Sequence, residues 1–299
     1  MRPIFEWKLR SCWLSLGERT LIMGVVNVTP DSFSDGGEFL DPVRAVEHGL
    51  ELLDEGADIL DIGGESTRPG KREPVSAEEE KRRVLPVIEG ILRRVPRAII
   101  SVDTYKAATA AAALNSGVEI VNDVSGFSWD EQMVGLLAGQ ECGCILMHTR
   151  GRPEQWQSQE PLSSDEVVPT VLRELRLLSD RAVAGGMARE RIVLDPGFGF
   201  GKRLDENFPL LARFAELHRL GYPLLSGTSR KSFIGRAATG SNTVATPLAG
   251  TLATVTSAIL QGAHIVRVHD VRPAVEAAGV ADSILRTQPD CAPHAKVIT

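Results

Sequence analysis

The chain has 299 residues, of which 43% are hydrophobic, and it carries a formal net charge of -6 at pH 7. A chain of this length buries a large core and forms one α/β barrel as readily as two domains. The acidic balance argues against nucleic acid or an anionic membrane as the main partner, because such surfaces need clustered Lys and Arg. A small molecule is therefore the expected ligand.

Cysteine usage and the lack of a long uncharged stretch indicate the compartment. The cysteines are Cys12, Cys142, Cys144 and Cys291. They form no CxxC pair and are few for the length, which is typical of a reducing compartment. Cys142 and Cys144 lack a second pair of ligands, so we expect them to flank a buried strand rather than hold a metal. No stretch is long and uncharged enough to span a bilayer, and we expect a cytoplasmic protein.

The predicted elements alternate along the chain. In residues 1–20, the alternation of Phe5, Trp7 and Leu9 predicts a small hairpin. Eight apolar runs of β-forming residues then follow, separated by helical segments. The runs are residues 21–26, 59–62, 98–102, 119–121, 143–147, 191–194, 222–225 and 264–268.

Two of the helical segments have clear start signals. Asp41 followed by Pro42 offers an N-cap and a proline at the first helical position. The apolar face that follows is predicted to contain Val43, Val46, Leu50 and Leu53. Ser76 and Glu79 have the spacing of a capping box. The other predicted helices are residues 105–114, 166–184, 207–220 and 248–261.

The strands are continuously apolar, which is typical of a parallel sheet covered by helices. Eight such units predict an α/β fold of the (β/α)8 TIM-barrel type, with the short N-terminal β-hairpin covering the barrel floor. A doubly wound sheet would usually carry a glycine-rich phosphate turn after its first strand, whereas the glycine-rich residues 197–201 follow the sixth. We therefore predict one domain over residues 1–299, with a loose tail at 288–299.

In such a barrel, the reacting groups lie at the C-terminal ends of the strands and in the loops after them. The polar residues at those positions are Asn27, Glu65, Ser66, Thr67, Arg68, Asp103, Asn122, Asp123, His148, Asp195, Ser229, Arg230, Lys231, Ser232, Arg267, His269 and Asp270. A ring with both signs of charge suits a polar heterocycle together with an anion. Taken alone, each of Asp103, Asn122 and Asp195 is as open to a role as a helix cap or turn residue as to a role in binding a ligand. Their equivalent positions around one barrel mouth favour a binding site.

Cationic residues near the last two strands predict an anion site. Arg267 and His269 are two residues apart on the eighth strand, so we expect their side chains to share one side. The alternatives are an ion pair for Arg267 and a helix-capping hydrogen bond for His269. Arg230, taken alone, is more typical of a solvated turn. Arg68, held by Pro69, suits an anion.

Taken in order, the motifs resemble those of the dihydropteroate synthases, a pterin-binding TIM-barrel family. They are GVVNVTPDSFSDGG (24–37), DIGGESTRPG (61–70), SVDT (101–104), VNDV (121–124), LMH (146–148), LDPGFGFGK (194–202), TSRKS (228–232) and RVHDV (267–271). The resemblance implies a homodimer that condenses 6-hydroxymethyl-7,8-dihydropterin diphosphate with 4-aminobenzoate, giving 7,8-dihydropteroate and diphosphate for folate biosynthesis. Thr149 departs from the pattern, because a second Met is common there.

The resemblance also implies residue roles. The pterin-binding residues would be Asp103, Asn122, Met147, Asp195, Gly227, Lys231 and Arg267. The diphosphate-binding residues would be Asn27, Thr67, Arg68, Arg267 and His269, with Asn27 as a ligand of Mg²⁺. The 4-aminobenzoate pocket would contain Phe33, Arg68, Pro69, Phe200, Lys231 and Ser232. The catalytic residues would be Asp103, Lys231, Arg267 and His269.

The resemblance implies that residues 29–37 close over the diphosphate. It also implies that sulfonamides, which imitate the benzoate, inhibit the enzyme. A structural role is equally open for Phe33, in which it anchors the loop on the barrel rim. Two other functions remain open. A barrel that transfers a methyl group from methyltetrahydrofolate would share the pterin residues but would not need the cations for a diphosphate. A paralogue that binds pterin without catalysis is the second.

Overall fold

The computed structural model describes residues 2–29, 41–66, 74–240 and 246–287. An antiparallel hairpin, β1 (Phe5–Lys8) and β2 (Trp13–Leu16), comes first. The strands of the main sheet are β3 (Leu21–Asn27), β4 (Ile59–Gly63), β5 (Ile100–Asp103), β6 (Ile120–Asp123), β7 (Gly143–Met147), β8 (Ile192–Asp195), β9 (Leu225–Ser226) and β10 (Ile265–Val268).

The eight strands form a closed parallel barrel. Neighbouring strands pair in parallel in the order β8-β7-β6-β5-β4-β3-β10-β9. A parallel bridge between Leu194 and Leu224 joins the two ends of this order, and Leu194 N donates to Pro223 O at 3.0 Å. The predicted (β/α)8 barrel with an N-terminal hairpin is confirmed.

Helices on the outside of the barrel follow the strands. They are α1 (Pro42–Asp54), α2 (Ala77–Arg94), α3 (Ala107–Asn115), α4 (Gln132–Ala138), α5 (Ser164–Ala184), α6 (Asn207–Ala212), α7 (Ser232–Thr239), α8 (Leu248–Leu260) and α9 (Val271–Thr287). Both predicted caps are present, since Asp41 accepts from Val43 N at 2.9 Å and Ser76 Oγ accepts from Glu79 N at 3.2 Å. The segment predicted as one helix over 207–220 is instead α6 followed by a 3-10 helix, Phe214–Leu220.

The predicted apolar face of α1 is wrong in part. Val43 is 57% exposed, whereas Leu52 is 3% exposed. The buried residues are Ala45, Val46, Gly49 and Leu52, so the face that packs inward is rotated from the one predicted. Close packing fixes this rotation, because a Cβ on Gly49 would lie 2.7 Å from the side chain of Ile91 on α2.

The hairpin closes the barrel floor with apolar side chains. Trp7, Leu9 and Leu16 are buried in one cluster with inward-facing barrel residues, among them Ile59 and Ile145. Each of these side chains removes apolar surface from water, which favours folding. The opposite end of the barrel is therefore the one left for polar groups.

Two further observations concern the cysteines and the helices. Cys142 and Cys144 are buried at the start of β7, and the described residues contain no group of three or more His, Cys, Asp or Glu side chains that could hold a metal. No helix within the described ranges is long and apolar enough to cross a membrane. Residues 288–299 lie outside the described part, and the single domain over 1–299 stays a prediction.

Candidate active site

Strand ends place a ring of polar side chains at the barrel mouth. Asn27, Asp103 and Asp195 are the last residues of their strands rather than the first residues after them. The register puts Asp103 beside Asn122 and Asp195 beside Met147. These side chains face inward because they are two or four residues from apolar side chains of the floor cluster on the same strand.

Arg267 joins two carboxylates across the mouth. Its Nε donates to Asp61 Oδ2 at 2.6 Å, and its second terminal nitrogen donates to Asp103 Oδ2 at 2.7 Å. Asp61 Oδ2 also accepts from Asn122 Nδ2 at 2.9 Å. Asp61 thereby fixes both the guanidinium and the orientation of the carboxamide.

Asp61 is a functional candidate that the sequence reasoning missed. It lies inside β4, is fully buried, and its Oδ1 has no hydrogen-bond partner within the described residues. An acidic residue inside a five-residue strand that is otherwise apolar was the available signal. A buried carboxylate of this kind requires a cation or a ligand to compensate it.

Burial shifts the pKa values of the titratable side chains at the barrel mouth. It raises the pKa of Asp103 to about 7, against the attraction of Arg267 and with added repulsion from Asp61. Burial also raises the pKa of Asp195 to about 6, although Gly197 N donates to its Oδ1 at 2.7 Å. Burial lowers the pKa of Arg267, but Asp61 and Asp103 raise it more, so the guanidinium stays charged.

One side of the mouth is a flat wall. Met147 and Phe200 are buried, and Lys231 Nζ lies 4.1 Å from the centre of the Phe200 ring. A Cβ on Gly227 would lie 3.7 Å from Asp195 Oδ2 and 3.9 Å from Arg267 Cβ. The backbone at Gly227 thus lies close to Asp195 and Arg267.

His269 is hydrogen-bonded to Ser229 and is neutral. Its Nδ1 lies 3.0 Å from Ser229 Oγ, which also accepts from His269 N at 3.2 Å. A hydroxyl has one donor and two acceptor lone pairs, so the tautomer of the imidazole decides whether Ser229 Oγ donates to Nδ1 or accepts from it. Burial and the neighbouring Arg267 lower the pKa of His269 to about 3. A bound anion would raise it again.

Several other candidates lie outside the ring. His148 is buried with its Nε2 2.8 Å from Glu174 on α5, and Asp123 accepts from two backbone amides of its own turn. Arg230 forms an ion pair with Asp270 at 2.6 Å, and Glu65 pairs with Lys106. Ser232 is exposed at the start of α7.

Four predicted site residues cannot be placed. Phe33, Thr67, Arg68 and Pro69 lie outside the described residues, as does most of the loop 29–37. Their roles stay predictions. The described mouth thus contains the predicted pterin residues, Asn27, His269, and the Phe200 and Lys231 part of the predicted 4-aminobenzoate pocket.

Comparison with known proteins identifies the family. The model of the pterin binding enzyme family matches residues 23–269. A dihydropteroate synthase from Clostridium beijerinckii is 43% identical over 282 residues, which are 93% of this chain and 99% of that protein.

Two crystal structures have the same fold. The dihydropteroate synthase from Clostridium difficile, in the presence of pteroic acid, has a TM-score of 0.82 at 42% identity, over 91% of this chain and 98% of that one. The dihydropteroate synthase from Xanthomonas albilineans, with 4-aminobenzoic acid, has a TM-score of 0.83 at 39% identity, over 97% of this chain and 100% of that one. The chain belongs to the pterin-binding enzyme family and, within it, to the dihydropteroate synthases.

Proposed function

We propose that this protein condenses 6-hydroxymethyl-7,8-dihydropterin diphosphate with 4-aminobenzoate, giving 7,8-dihydropteroate and diphosphate. The observation that carries the proposal is the buried ring in which Arg267 joins Asp61 and Asp103 beside Asn122, in a chain of this family. Two related synthases, one in the presence of pteroic acid and one with 4-aminobenzoic acid, support both halves of the reaction.

The pterin would lie against Asp195 and Asn122. A pterin edge presents adjacent N–H donors, which an ionised Asp195 accepts. Asn122 gives one amide proton to Asp61, so its carbonyl oxygen and second proton remain for the ring. Lys231 would face the ring carbonyl, Met147 would form the wall, and the backbone at Gly227 would lie beside the heterocycle.

The leaving diphosphate would lie near Arg267 and His269. Charge develops on it as the C–O bond breaks, and a fixed guanidinium and the imidazole would stabilise that charge. Thr67 and Arg68 would add donors. Asp103 would offset positive charge on the dihydropterin if the transition state is loosely bonded, and secondary isotope effects near unity at the methylene would contradict this path.

Asn27 would hold Mg²⁺. Its carboxamide offers a hard oxygen at the end of β3, and a single protein oxygen completed by diphosphate oxygens and waters suits this ion. The ion would supply positive charge to the leaving diphosphate. Diphosphate release measured with and without Mg²⁺, in the native protein and in Asn27→Ala, tests this assignment.

The second substrate needs positioning rather than activation. The amine of 4-aminobenzoate is neutral near pH 7, so its lone pair is free to attack. Phe200, Lys231 and Ser232 would form its pocket together with Phe33, Arg68 and Pro69. An unchanged KM for 4-aminobenzoate in Phe33→Ala would instead favour a rim anchor. Sulfonamides imitate the benzoate, so we expect them to compete for this pocket.

The deciding experiment mixes purified protein, Mg²⁺, the pterin diphosphate and 4-aminobenzoate, and follows diphosphate release. We expect release only when both substrates are present. Tight binding of the pterin without release would instead indicate a binding paralogue. The methyl-transfer alternative gains no support, because the relatives named above are synthases. Light scattering tests the homodimer, which the family resemblance alone implies.

A further inference from the structure

The lysine that follows the glycine-rich loop is buried, and the proposed chemistry does not use it. Lys202 is 6% exposed, and its Nζ donates to Gly197 O at 2.7 Å and Phe200 O at 3.3 Å, with His148 O at 3.5 Å. All three acceptors are backbone carbonyl oxygens. Burial lowers the pKa of Lys202 to about 7, which Asp195 opposes. An ammonium buried in this way is unfavourable unless hydrogen bonds and opposite charge compensate it, and here the three carbonyl oxygens do so.

The loop around Lys202 is folded tightly. Gly197, Gly199 and Gly201 have φ values of 66°, 82° and 67°, in the region that residues with side chains rarely adopt. A Cβ on Gly197 would lie 2.0 Å from His148 O, so the loop packs backbone to backbone on the segment after β7. Carbonyl oxygens of the two segments thus converge, and Lys202 Nζ lies between them and donates to both.

Two candidate site residues depend on this loop to different degrees. Asp195 accepts from Gly197 N, but it is also fixed at the end of β8. Phe200 lies within the loop, and its own carbonyl is one of the acceptors of Lys202. The Phe200 ring meets Trp156 edge-on at 5.3 Å and lies under Lys231. Loss of the ammonium should therefore displace Phe200 more than Asp195.

We propose that Lys202 is a positioning residue, which holds the Gly197–Gly201 loop so that Phe200 forms the wall of the arylamine pocket. It acts on the affinity for 4-aminobenzoate through Phe200 and leaves the pterin anchors in place. This inference rests on the proposed function for its kinetic test. A structural test is independent of that function.

The kinetic test compares Lys202→Met with Lys81→Met. Methionine keeps much of the side-chain length without the ammonium, and Lys81 on α2 pairs with Glu78, three residues away, at 2.6 Å. We expect Lys202→Met to raise the KM for 4-aminobenzoate about tenfold and the KM for the pterin diphosphate less than about twofold. Lys81→Met should change neither. Lys202→Gln, which keeps a donor, should recover part of the loss.

A double-mutant cycle separates positioning from a general packing defect. If Lys202 acts through Phe200, Lys202→Met should raise the KM for 4-aminobenzoate no further in a Phe200→Ala background. Equal effects in both backgrounds would overturn the proposal, as would equal losses for the two substrates.

The structural test uses hydrogen exchange of the backbone amides of residues 197–201. Gly197 N and Gly199 N donate to Asp195 and Asn207, both at 2.7 Å. For Lys202→Met, we expect faster exchange in this segment at a temperature where the rest of the protein stays protected. For Lys81→Met, we expect the exchange rate of this segment to be the same as in the native protein. Unchanged exchange would overturn the proposal whether or not the protein condenses its substrates. Absent turnover in the native protein, with the exchange result as expected, would refute only the proposed function.

Discussion

The two ends of the barrel are filled by opposite kinds of side chain. At the floor, Trp7 and Ile59 are fully buried, and Trp7 Nε1 donates to Arg191 O at 2.9 Å. At the mouth, Asp61 is just as buried but has a carboxyl group, with one oxygen unpartnered within the described residues. Apolar burial stabilises the fold, whereas buried carboxylates oppose it unless a cation or ligand compensates them.

The difference indicates a division of labour along the same strands. Ile59 and Asp61 are two residues apart on β4 and face the same interior. A change at the floor should therefore lower stability and leave turnover unchanged. A change at the mouth should lower turnover and leave stability unchanged. Each prediction below tests one side of this comparison.

The largest expected effect is on stability, at the floor. Trp7→Ala removes a fully buried ring and should lower the free energy of unfolding by about 3–5 kcal/mol. Urea denaturation measures this, and kcat of the folded variant should stay within about twofold of the native value. Trp13→Ala is the matched control in the same hairpin, since Trp13 is 51% exposed and its loss should cost about 0.5 kcal/mol or less. An inactive but stable Trp7→Ala would break the comparison.

At the mouth, Asp195→Asn should lower kcat/KM by about 100-fold or more, because the pterin loses its charged acceptor. Stability should not fall. The amide oxygen still accepts from Gly197 N, and a buried charge whose pKa is raised to about 6 has been removed. Steady-state kinetics and urea denaturation measure the two quantities. Asp180→Asn, on an exposed face of α5, should leave kcat/KM and stability unchanged. A destabilised Asp195→Asn would contradict the contrast between the two ends of the barrel.

Most of the fold could be predicted from the sequence, because each strand is an apolar run bounded by turn residues. Each run overlaps a barrel strand, although the run 222–225 shares one residue with β9 (Leu225–Ser226), and Asp103 and Asp195 end their strands rather than follow them. The face of α1 could not be predicted, since Val43 and Leu52 are both apolar and only the contact with α2 decides which is buried.

The site was predicted less completely, because side chains at a strand end alternate between the interior and the helices. Met147 lies two residues after the inward-facing Ile145, so His148 points outward and reaches Glu174. Asn122 and Asp123 are neighbours, and only Asn122 faces the mouth. Asp61 lies two residues before Gly63, where β4 ends in the structure, whereas the predicted run ended at residue 62, two residues after Leu60.

Asp61→Asn tests that missed residue. It should weaken pterin binding about tenfold, because Arg267 and Asn122 lose a fixed charged partner. Repulsion from Asp61 raises the pKa of Asp103, so the substitution should lower that pKa and move the acid limb of the rate profile to lower pH. Calorimetry with 6-hydroxymethyl-7,8-dihydropterin measures the affinity, and the pH profile of the rate measures the shift of the acid limb. Asp58→Asn, which lies just before β4 at the floor end and pairs with Arg19, should change neither.

The smallest expected effect is the pH dependence of native pterin binding. The pKa of Asp195 is raised to about 6, so its carboxyl is ionised at pH 7.5 and half protonated at pH 6. A protonated carboxyl no longer accepts from both N–H groups, and affinity for 6-hydroxymethyl-7,8-dihydropterin should fall about twofold across that range. The alcohol is the right probe, because its lack of a diphosphate removes a second titration. Asp195→Asn should show a smaller slope, which Asp103 alone would cause, because its pKa is raised to about 7. Trp7→Ala should keep the native slope, because the floor presents no titrating group to the ligand. Affinity that rises as the pH falls would mean that the protonated carboxyl is the binding form.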